Sequence, residues 1–209
     1  LKDARNLQVI GRAGVGVDNI DINEATNQGI IVMNYPDGNT ISAAEHTIAM
    51  MMSLSRNIQL GHVGILAGEW NRNNLVGSEL QGKILGVVGL GRIGREVIKR
   101  ALGLEMRILG YDPFVSTDIF DDEKVNIVDL DELTEKSDYI SLHVPFLDTT
   151  NNLFDAKRIS MMKNTTVISS IIISIKPSNV ICMISANWLN RRKEKVRLFQ
   201  FFYGLFYLI

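Results

Sequence analysis

Residues 84–112 carry the pattern that most restricts how this chain can fold. They open with a short apolar run, continue through Gly89, Gly91 and Gly94 with the spacing G-x-G-x-x-G, and then repeat apolar residues at helical intervals. A second apolar run follows and ends at Asp112. The short runs predict buried strands, and the helical repeat predicts an amphipathic helix between them. This stretch therefore predicts a strand, a glycine turn, a helix and a second strand.

This order of elements is the one that binds a dinucleotide. Gly89 would allow the tight turn, Gly91 would let the backbone approach a pyrophosphate, and Gly94 would let the helix pack closely against the strand. Asp112 lies near the position of the acid that binds the adenosine ribose hydroxyls and repels a 2′-phosphate, which predicts NAD rather than NADP. Arg92 either contacts the pyrophosphate or is a solvated surface arginine. An α/β turn without a ligand is the alternative, and the complete set of flanking elements disfavours it.

The rest of the chain alternates short apolar runs with helical patterns. The predicted strands are residues 8–10, 30–33, 125–128, 138–145 and 165–168, and the predicted helices are 21–28, 42–56, 129–136 and 155–162. Ser42 and Glu45 have the spacing of a capping box at the start of the second helix, and residues 61–77 are interpreted as a linker. The alternation predicts an α/β fold with a doubly wound parallel sheet and helices on both faces.

Ligands of such sheets bind at the carboxyl ends of the strands. His143, Val144 and Pro145 end one predicted strand, Thr150 follows it, and all four are expected with the glycine turn at that edge. His143 is either catalytic or a packing residue of the adenine pocket, and the second interpretation is favoured because no partner acid is visible in the sequence. A loop with three glycines, residues 11–18, can present backbone N–H groups to an anion. We predict no metal site, and we interpret the other two histidines, His46 and His62, as structural.

Composition favours a soluble globular protein of one or two domains. The chain has 209 residues, 46% of them hydrophobic, and a net charge of −1, which gives no reason to expect nucleic acid or an anionic membrane as a partner. The single cysteine, Cys182, cannot form an internal disulfide, so we expect a reducing compartment, either the cytoplasm or an organelle matrix reached through a transit peptide. The first residue is not methionine, and we expect this end to be the edge of a fragment.

Several motifs together resemble those of one enzyme family, the D-isomer-specific 2-hydroxyacid dehydrogenases. They occupy residues 11–21, 39–47, 89–94, 111–113 and 142–145, with Thr150. The resemblance implies the end of a flavodoxin-like substrate domain at residues 1–40, an NAD-binding Rossmann domain at 41–168 and a divergent tail at 169–209. It implies hydride transfer between NAD and C2 of a 2-hydroxyacid, and a helix at residues 42–56 that links the domains and forms a homodimer.

The resemblance also assigns candidate binding residues. The implied substrate-binding residues, whose N–H groups would hold a carboxylate, are Ala13, Gly14, Val15 and Gly16. The implied cofactor-binding residues are Gly89, Gly91, Arg92, Ile93, Gly94, Asp112, His143, Val144, Pro145 and Thr150.

The catalytic residues of the family are not found in this sequence. Ile172 stands where the family has the arginine that polarises the substrate, and the later glutamate and histidine have no counterpart. General acid–base catalysis contributes typically 10² to 10⁴-fold, so we expect NAD binding with very slow turnover, if any.

The tail pairs a basic cluster at residues 191–197 with an apolar, aromatic end. It is either a membrane-surface segment or, as we favour, sequence that is not native to the fold, arising from a frame change or unspliced translation. Three hypotheses follow: a broken or misread copy of an NAD-dependent dehydrogenase, a short NAD-binding protein that pairs through the helix at 42–56, or a membrane-associated form.

Overall fold

A computed structural model describes residues 1, 3–4, 6–17, 19–116, 120, 123–145, 147, 149–170 and 184–185. The prediction for Ile172 and most of the divergent tail lie outside these residues. The strands are β1 Val9–Arg12, β2 Ile31–Asn34, β3 Ile84–Val88, β4 Arg107–Tyr111, β5 Val125–Ile127, β6 Tyr139–Leu142, β7 Val167–Ser170 and β8 Ile184–Ser185. The α-helices are α1 Ile22–Asn27, α2 Thr40–Ser55, α3 Ile58–Leu66, α4 Arg92–Gly103, α5 Leu130–Lys136 and α6 Ala156–Met161, and a 3₁₀ helix spans Arg72–Leu75.

The main sheet confirms the predicted doubly wound α/β fold. Its strand order is β5-β4-β3-β6-β7-β8, and the first five strands pair in parallel. The order reverses on the two sides of β3, where β4 and β6 are its neighbours, and this reversal is where open α/β sheets bind ligands. The short β8 pairs antiparallel with β7, which the sequence analysis did not predict.

Hydrophobic cores cover both faces of this sheet. One core packs α2 and α4 against it, and the other packs α5 and α6. The first contains Met51, Leu85, Val97, Ile98 and Ile108, and the second contains Leu109, Leu133, Ile140 and Ile168. Because both faces are covered, the central strands are apolar throughout, as the runs in the sequence indicated.

Three short helices begin with an aspartate that caps them. The side chains of Asp21, Asp129 and Asp155 each accept a hydrogen bond from the backbone N–H three residues later. Capping of this kind stabilises a helix by about 1 kcal/mol and satisfies an N–H that the helix leaves unpaired. The predicted helices are therefore confirmed, and each starts one residue later than predicted.

Two local predictions are wrong. Residues 61–77 are not an irregular linker, because α3 extends to Leu66 and a 3₁₀ helix follows. The capping box is absent, because α2 already begins at Thr40 and Ser42 lies inside its first turn, donating to the carbonyl of Asn39. Ser42 therefore cannot take the extended N-cap conformation that a capping box requires.

The parallel pair β1–β2 forms a separate small sheet with α1. The sequence analysis predicted a buried strand at residues 30–33, and Ile30 is buried, but Ile31 and Met33 are more than half exposed. Within the described residues, α1 packs beside β2 and leaves these two side chains uncovered. No helix in the described part of the chain is both long and apolar enough to cross a membrane.

Candidate cofactor-binding site

The glycine turn connects β3 to α4 at the carboxyl edge of the main sheet. Gly89 has a φ of +93°, and a Cβ there would lie 2.8 Å from the backbone of His143. A Cβ at Gly94 would lie 2.1 Å from the carbonyl oxygen of Gly89, so the helix approaches the turn more closely than any side chain allows. A Cβ at Gly91 would meet nothing within 4 Å. Two of the three glycines are therefore required by packing, whereas Gly91 faces open space.

The first turn of α4 presents unpaired N–H groups beside this open space. Gly91 is the N-cap, and Arg95 is the first residue whose N–H reaches a carbonyl of the helix, at 3.0 Å from Gly91 O. In the described structure, the N–H groups of Arg92, Ile93 and Gly94 have no such acceptor. Three N–H groups at the positive end of a helix dipole favour an anion, and phosphate groups commonly bind at such a position.

Asp112 follows β4 and lies directly against the turn. One carboxylate oxygen, Oδ2, accepts a hydrogen bond from the N–H of Leu90 at 2.8 Å. The other oxygen, Oδ1, accepts from the N–H of Phe114 at 2.9 Å. Because each carboxylate oxygen can accept about two hydrogen bonds, both keep capacity for a ligand hydroxyl. The two backbone bonds thus orient the carboxylate, and sequence reasoning missed them because they depend on the tertiary position of the turn.

Arg92 makes an ion pair that the sequence did not indicate. Its Nε lies 3.1 Å from Oδ1 of Asp37, and the two side chains are 62% and 65% exposed. Arg92 is thus a solvated arginine at the helix start, beside the unpaired N–H groups. Both alternatives considered for it in the sequence, a surface position and a pyrophosphate contact, are compatible with this placement.

His143 directly follows β6 and adjoins the turn through its backbone. Its N–H donates to the carbonyl of Val88 at 2.7 Å, and its Nε2 lies 2.8 Å from Oγ of the buried Ser141. Burial lowers the pKa of His143 to about 4, so the imidazole is neutral at pH 7. No carboxylate among the described residues hydrogen-bonds to it. The arrangement fits a packing residue better than an acid–base pair, and the bond to Ser141 was not foreseen.

Val144, Pro145 and Thr150 continue from His143 along the same edge of the sheet. The Thr150 hydroxyl donates to the carbonyl of Pro145 at 2.6 Å and accepts from the N–H of Leu147 at 2.8 Å. These bonds close the loop between residues 145 and 150. Val144 lies against the glycine turn, with its Cγ1 3.0 Å from a Cβ built at Gly89, and the closed loop places Pro145 and Thr150 after it.

The loop at Ala13, Gly14, Val15 and Gly16 follows β1 and is held by the last residue of β2 and the residue after it. The N–H of Tyr35 donates to Gly14 O at 3.1 Å, and Asn34 Nδ2 donates to Val15 O at 2.8 Å. Among the described residues, the N–H groups of Val15 and Gly16 have no acceptor. The loop is thus fixed through its carbonyls and leaves donors available, and the roles of Asn34 and Tyr35 were missed because they come from another strand.

Neither a metal site nor the surface cavity of the described residues coincides with this edge of the sheet. No group of three or more histidine, cysteine, aspartate or glutamate side chains in the described part is placed to hold a metal ion. A surface cavity lies instead near the ends of α2 and α4, with Arg56, Glu79 and Glu105 in its lining, and it includes none of the predicted binding residues.

Comparisons with known proteins identify the family. Residues 48–171 match the NAD-binding domain of the D-isomer-specific 2-hydroxyacid dehydrogenases. D-3-phosphoglycerate dehydrogenase of Archaeoglobus fulgidus is 48% identical over 168 residues, covering 80% of this chain and 32% of the relative. The enzyme of the same name from Bacillus subtilis is 48% identical over 158 residues, covering 76% and 30%. The chain therefore spans about a third of the length of these relatives. The motifs in its sequence look most like those of D-3-phosphoglycerate dehydrogenase, and these relatives agree with that resemblance.

Solved structures agree with this assignment. The D-lactate dehydrogenase from Aquifex aeolicus, complexed with NAD and lactic acid, is 33% identical with a TM-score of 0.70, covering 79% of this chain and 50% of that one. The NAD-dependent formate dehydrogenase from Staphylococcus aureus, in complex with NAD, is 35% identical with a TM-score of 0.72, covering 82% and 51%. The predicted cofactor, NAD, is confirmed by the domain that matches. The chain belongs to the D-isomer-specific 2-hydroxyacid dehydrogenase family, and residues 48–171 are its NAD-binding domain.

Proposed function

We propose that this chain is the nucleotide-binding part of an oxidoreductase that transfers hydride between NAD and the CH–OH group of a D-2-hydroxyacid such as 3-phosphoglycerate, as in serine biosynthesis. The observation that carries the proposal is the open space at Gly91, bordered by three unpaired helix N–H groups and by the oriented carboxylate of Asp112. The identity to D-3-phosphoglycerate dehydrogenases supports the substrate class.

The residues of the site have distinct roles in this proposal. The N–H groups of Arg92, Ile93 and Gly94 bind the pyrophosphate, and Asp112 accepts hydrogen bonds from the adenosine ribose hydroxyls. Asp112 also rejects a 2′-phosphate, because two like charges would meet at short distance. NAD, when bound, supplies the hydride acceptor. The neighbouring residues that line the nucleotide are His143, Val144, Pro145 and Thr150.

The substrate side of the cleft is proposed at the loop of residues 13–16. The available N–H groups of Val15 and Gly16 support this role, because backbone donors in a glycine-rich loop form a concave site for a carboxylate. Residues 1–40 would then be the end of the substrate domain, and residues 41–168 the nucleotide domain.

We further propose that the 209-residue polypeptide, on its own, binds NADH and turns over very slowly. Its sequence has Ile172 at the position of the family arginine, so the site lacks the positive charge that would polarise the substrate. The test is a pair of assays on the same sample. NADH titration followed by nicotinamide fluorescence should saturate, whereas NAD reduction with 3-phosphoglycerate should stay near the background rate. Rapid reduction would refute the proposed inactivity, and absence of NADH binding would refute the proposed function.

Pairing of two copies is the second part of the proposal, and a specific observation favours it. Helix α3 has no buried residue, and Leu60, Val63, Ile65 and Leu66 are more than half exposed. The end of α2 continues this surface with Met52 and Leu54, both partly exposed. Several large apolar side chains exposed on one helix and on the end of the preceding one favour an interaction site. Pairing through α2 and α3 is also what we expect of the alternative function, a non-catalytic protein that binds NAD and dimerises.

The oligomeric state tests this surface. Sedimentation equilibrium should show a dimer, and the double substitution L60Q/I65Q should give a monomer that still binds NADH. The matched control is Ile31→Gln, an exposed apolar residue of β2, away from α2 and α3. A monomeric unsubstituted protein, or a double variant that remains dimeric, would contradict the proposed interface.

A further inference from the structure

The ion pair between Asp37 and Arg92 joins two segments that are far apart in the sequence. Asp37 lies in the turn between β2 and α2, and Arg92 is the first residue of α4. The contact is made by Nε of Arg92 at 3.1 Å from Oδ1 of Asp37. A carboxylate therefore stands beside the end of the helix that carries the unpaired N–H groups.

The carboxylate of Asp37 competes with any anion that this end of the helix would bind. The N–H groups and the guanidinium all attract an anion, whereas Asp37 pairs with the guanidinium and neutralises its charge. Both side chains are mostly exposed, so their pairing is weak and a stronger anion can displace it. The packing of the turn does not require the charge of Asp37, because its hydrogen bond to Thr40 N is made by its backbone carbonyl.

We propose that Asp37 competes with the NAD pyrophosphate for Arg92. This competition weakens NAD binding and increases the rate at which the nucleotide dissociates. The inference rests on the proposed function. In the free protein Arg92 pairs with Asp37; in the complex the guanidinium turns its donors to the pyrophosphate, and the carboxylate of Asp37 loses its partner. The free energy needed to separate Arg92 from Asp37 makes the free energy of NAD binding less favourable.

The substitution Asp37→Asn tests the proposal, since asparagine keeps the size and an acceptor oxygen while removing the charge. NADH titration at low salt should give a Kd about three- to fivefold lower than that of the unsubstituted protein, the range expected from an exposed pair. The gain should shrink at high salt, because added ions screen exposed charges. Glu135→Gln is the matched control: it removes one exposed negative charge from the far end of α5 and should leave the Kd unchanged.

A double-variant comparison separates the pair from a general charge effect. Arg92→Gln should weaken NADH binding, and adding Asp37→Asn to Arg92→Gln should bring at most a small gain. A Kd that Asp37→Asn leaves unchanged or raises would overturn the inference while the proposed function stands. A gain of equal size in the Arg92→Gln background would also overturn it, because Asp37 would then act without Arg92. Absence of NADH binding by the unsubstituted protein would refute both proposals.

Discussion

Replacement by alanine should have different effects at two glycines of the same turn: a loss of stability at Gly94 and a loss of NADH affinity at Gly91. A Cβ at Gly94 would lie 2.1 Å from Gly89 O, more than 1 Å closer than an ordinary contact. Gly89 cannot retreat, because its own Cα faces the backbone of His143, and α4 is held by the buried Val97 and Ile98. We therefore expect Gly94→Ala to cost about 3 kcal/mol, the upper end of overpacking, which lowers Tm by roughly 6–12 °C in a domain of this size.

Gly91→Ala should leave the fold intact and weaken nucleotide binding. Gly91 has a φ of −70° and open space around its Cβ position, so alanine fits without strain. A smaller unfolded-state entropy and a poorer N-cap partly offset each other, and the stability should stay within about 1 kcal/mol. The added methyl group occupies the space where the pyrophosphate approaches, so the Kd for NADH should rise by about tenfold or more, equivalent to ~1.4 kcal/mol.

Thermal unfolding and NADH titration of both variants measure these effects. Gly103→Ala is the control, because it lies at the other end of α4 and its Cβ also meets nothing within 4 Å. It should keep both the stability and the NADH affinity, or gain slightly in stability from the better helix propensity of alanine. A Gly94→Ala protein with unchanged Tm would refute the packing argument. A Gly91→Ala protein with unchanged Kd would refute the position of the pyrophosphate.

Three further predictions concern hydrogen bonds and charge. In the buried pair Ser55–Tyr139, the serine hydroxyl donates to a helix carbonyl and so accepts from the tyrosine, whose hydroxyl needs it as acceptor. Ser55→Ala should thus lower the free energy of unfolding by about 1–3 kcal/mol, reduced by roughly 0.5 kcal/mol because alanine has the better helix propensity. Tyr139→Phe should lower it by only about 0.5–1 kcal/mol. Urea unfolding of both variants and the double variant measures these losses, and a larger loss for Tyr139→Phe would contradict the prediction. Asp112→Asn should raise the Kd for NADH about tenfold, since its amide N–H₂ would face Leu90 N or Phe114 N, and an unchanged titration would exclude the role. The pKa of His143 is lowered by burial from 6.5 to about 4, so the unfolded state binds the proton first as the pH falls. Stability should be complete above about pH 7.5 and fall by roughly 3 kcal/mol by pH 4, and urea unfolding across this range should show a shallower fall for His143→Asn.

Much of the nucleotide domain was predictable because its signals are local. A buried strand, a glycine turn and an amphipathic helix follow one another within residues 84–112, and the caps Asp129 and Asp155 precede their helices directly. Helix α3 escaped prediction because Gly61 and Gly64 interrupt it and it lacks a polar face to set a helical period. Its exposed apolar side chains are the basis of the pairing proposed above.

The details of the site depend on contacts between distant segments. The backbone donors that orient Asp112 come from the turn before α4 and from the residue after Pro113. The partner of Arg92 comes from a turn before α2, and the pKa of His143 follows from burial under neighbouring elements. Residue types and spacing indicated which side chains gather at the edge of the sheet. They could not indicate which of them are already paired.

The order of the strands around β3 has a consequence for how the chain folds. Strand β3, helix α4 and strand β4 are consecutive, so their contacts close short loops and form at low entropic cost. Strand β6 reaches β3 only after β5 and α5 have been added, so that pairing is long-range and slow. On a growing polypeptide, we therefore expect the glycine turn to form before His143 packs against it, and tight NAD binding to develop only after β6 has paired with β3.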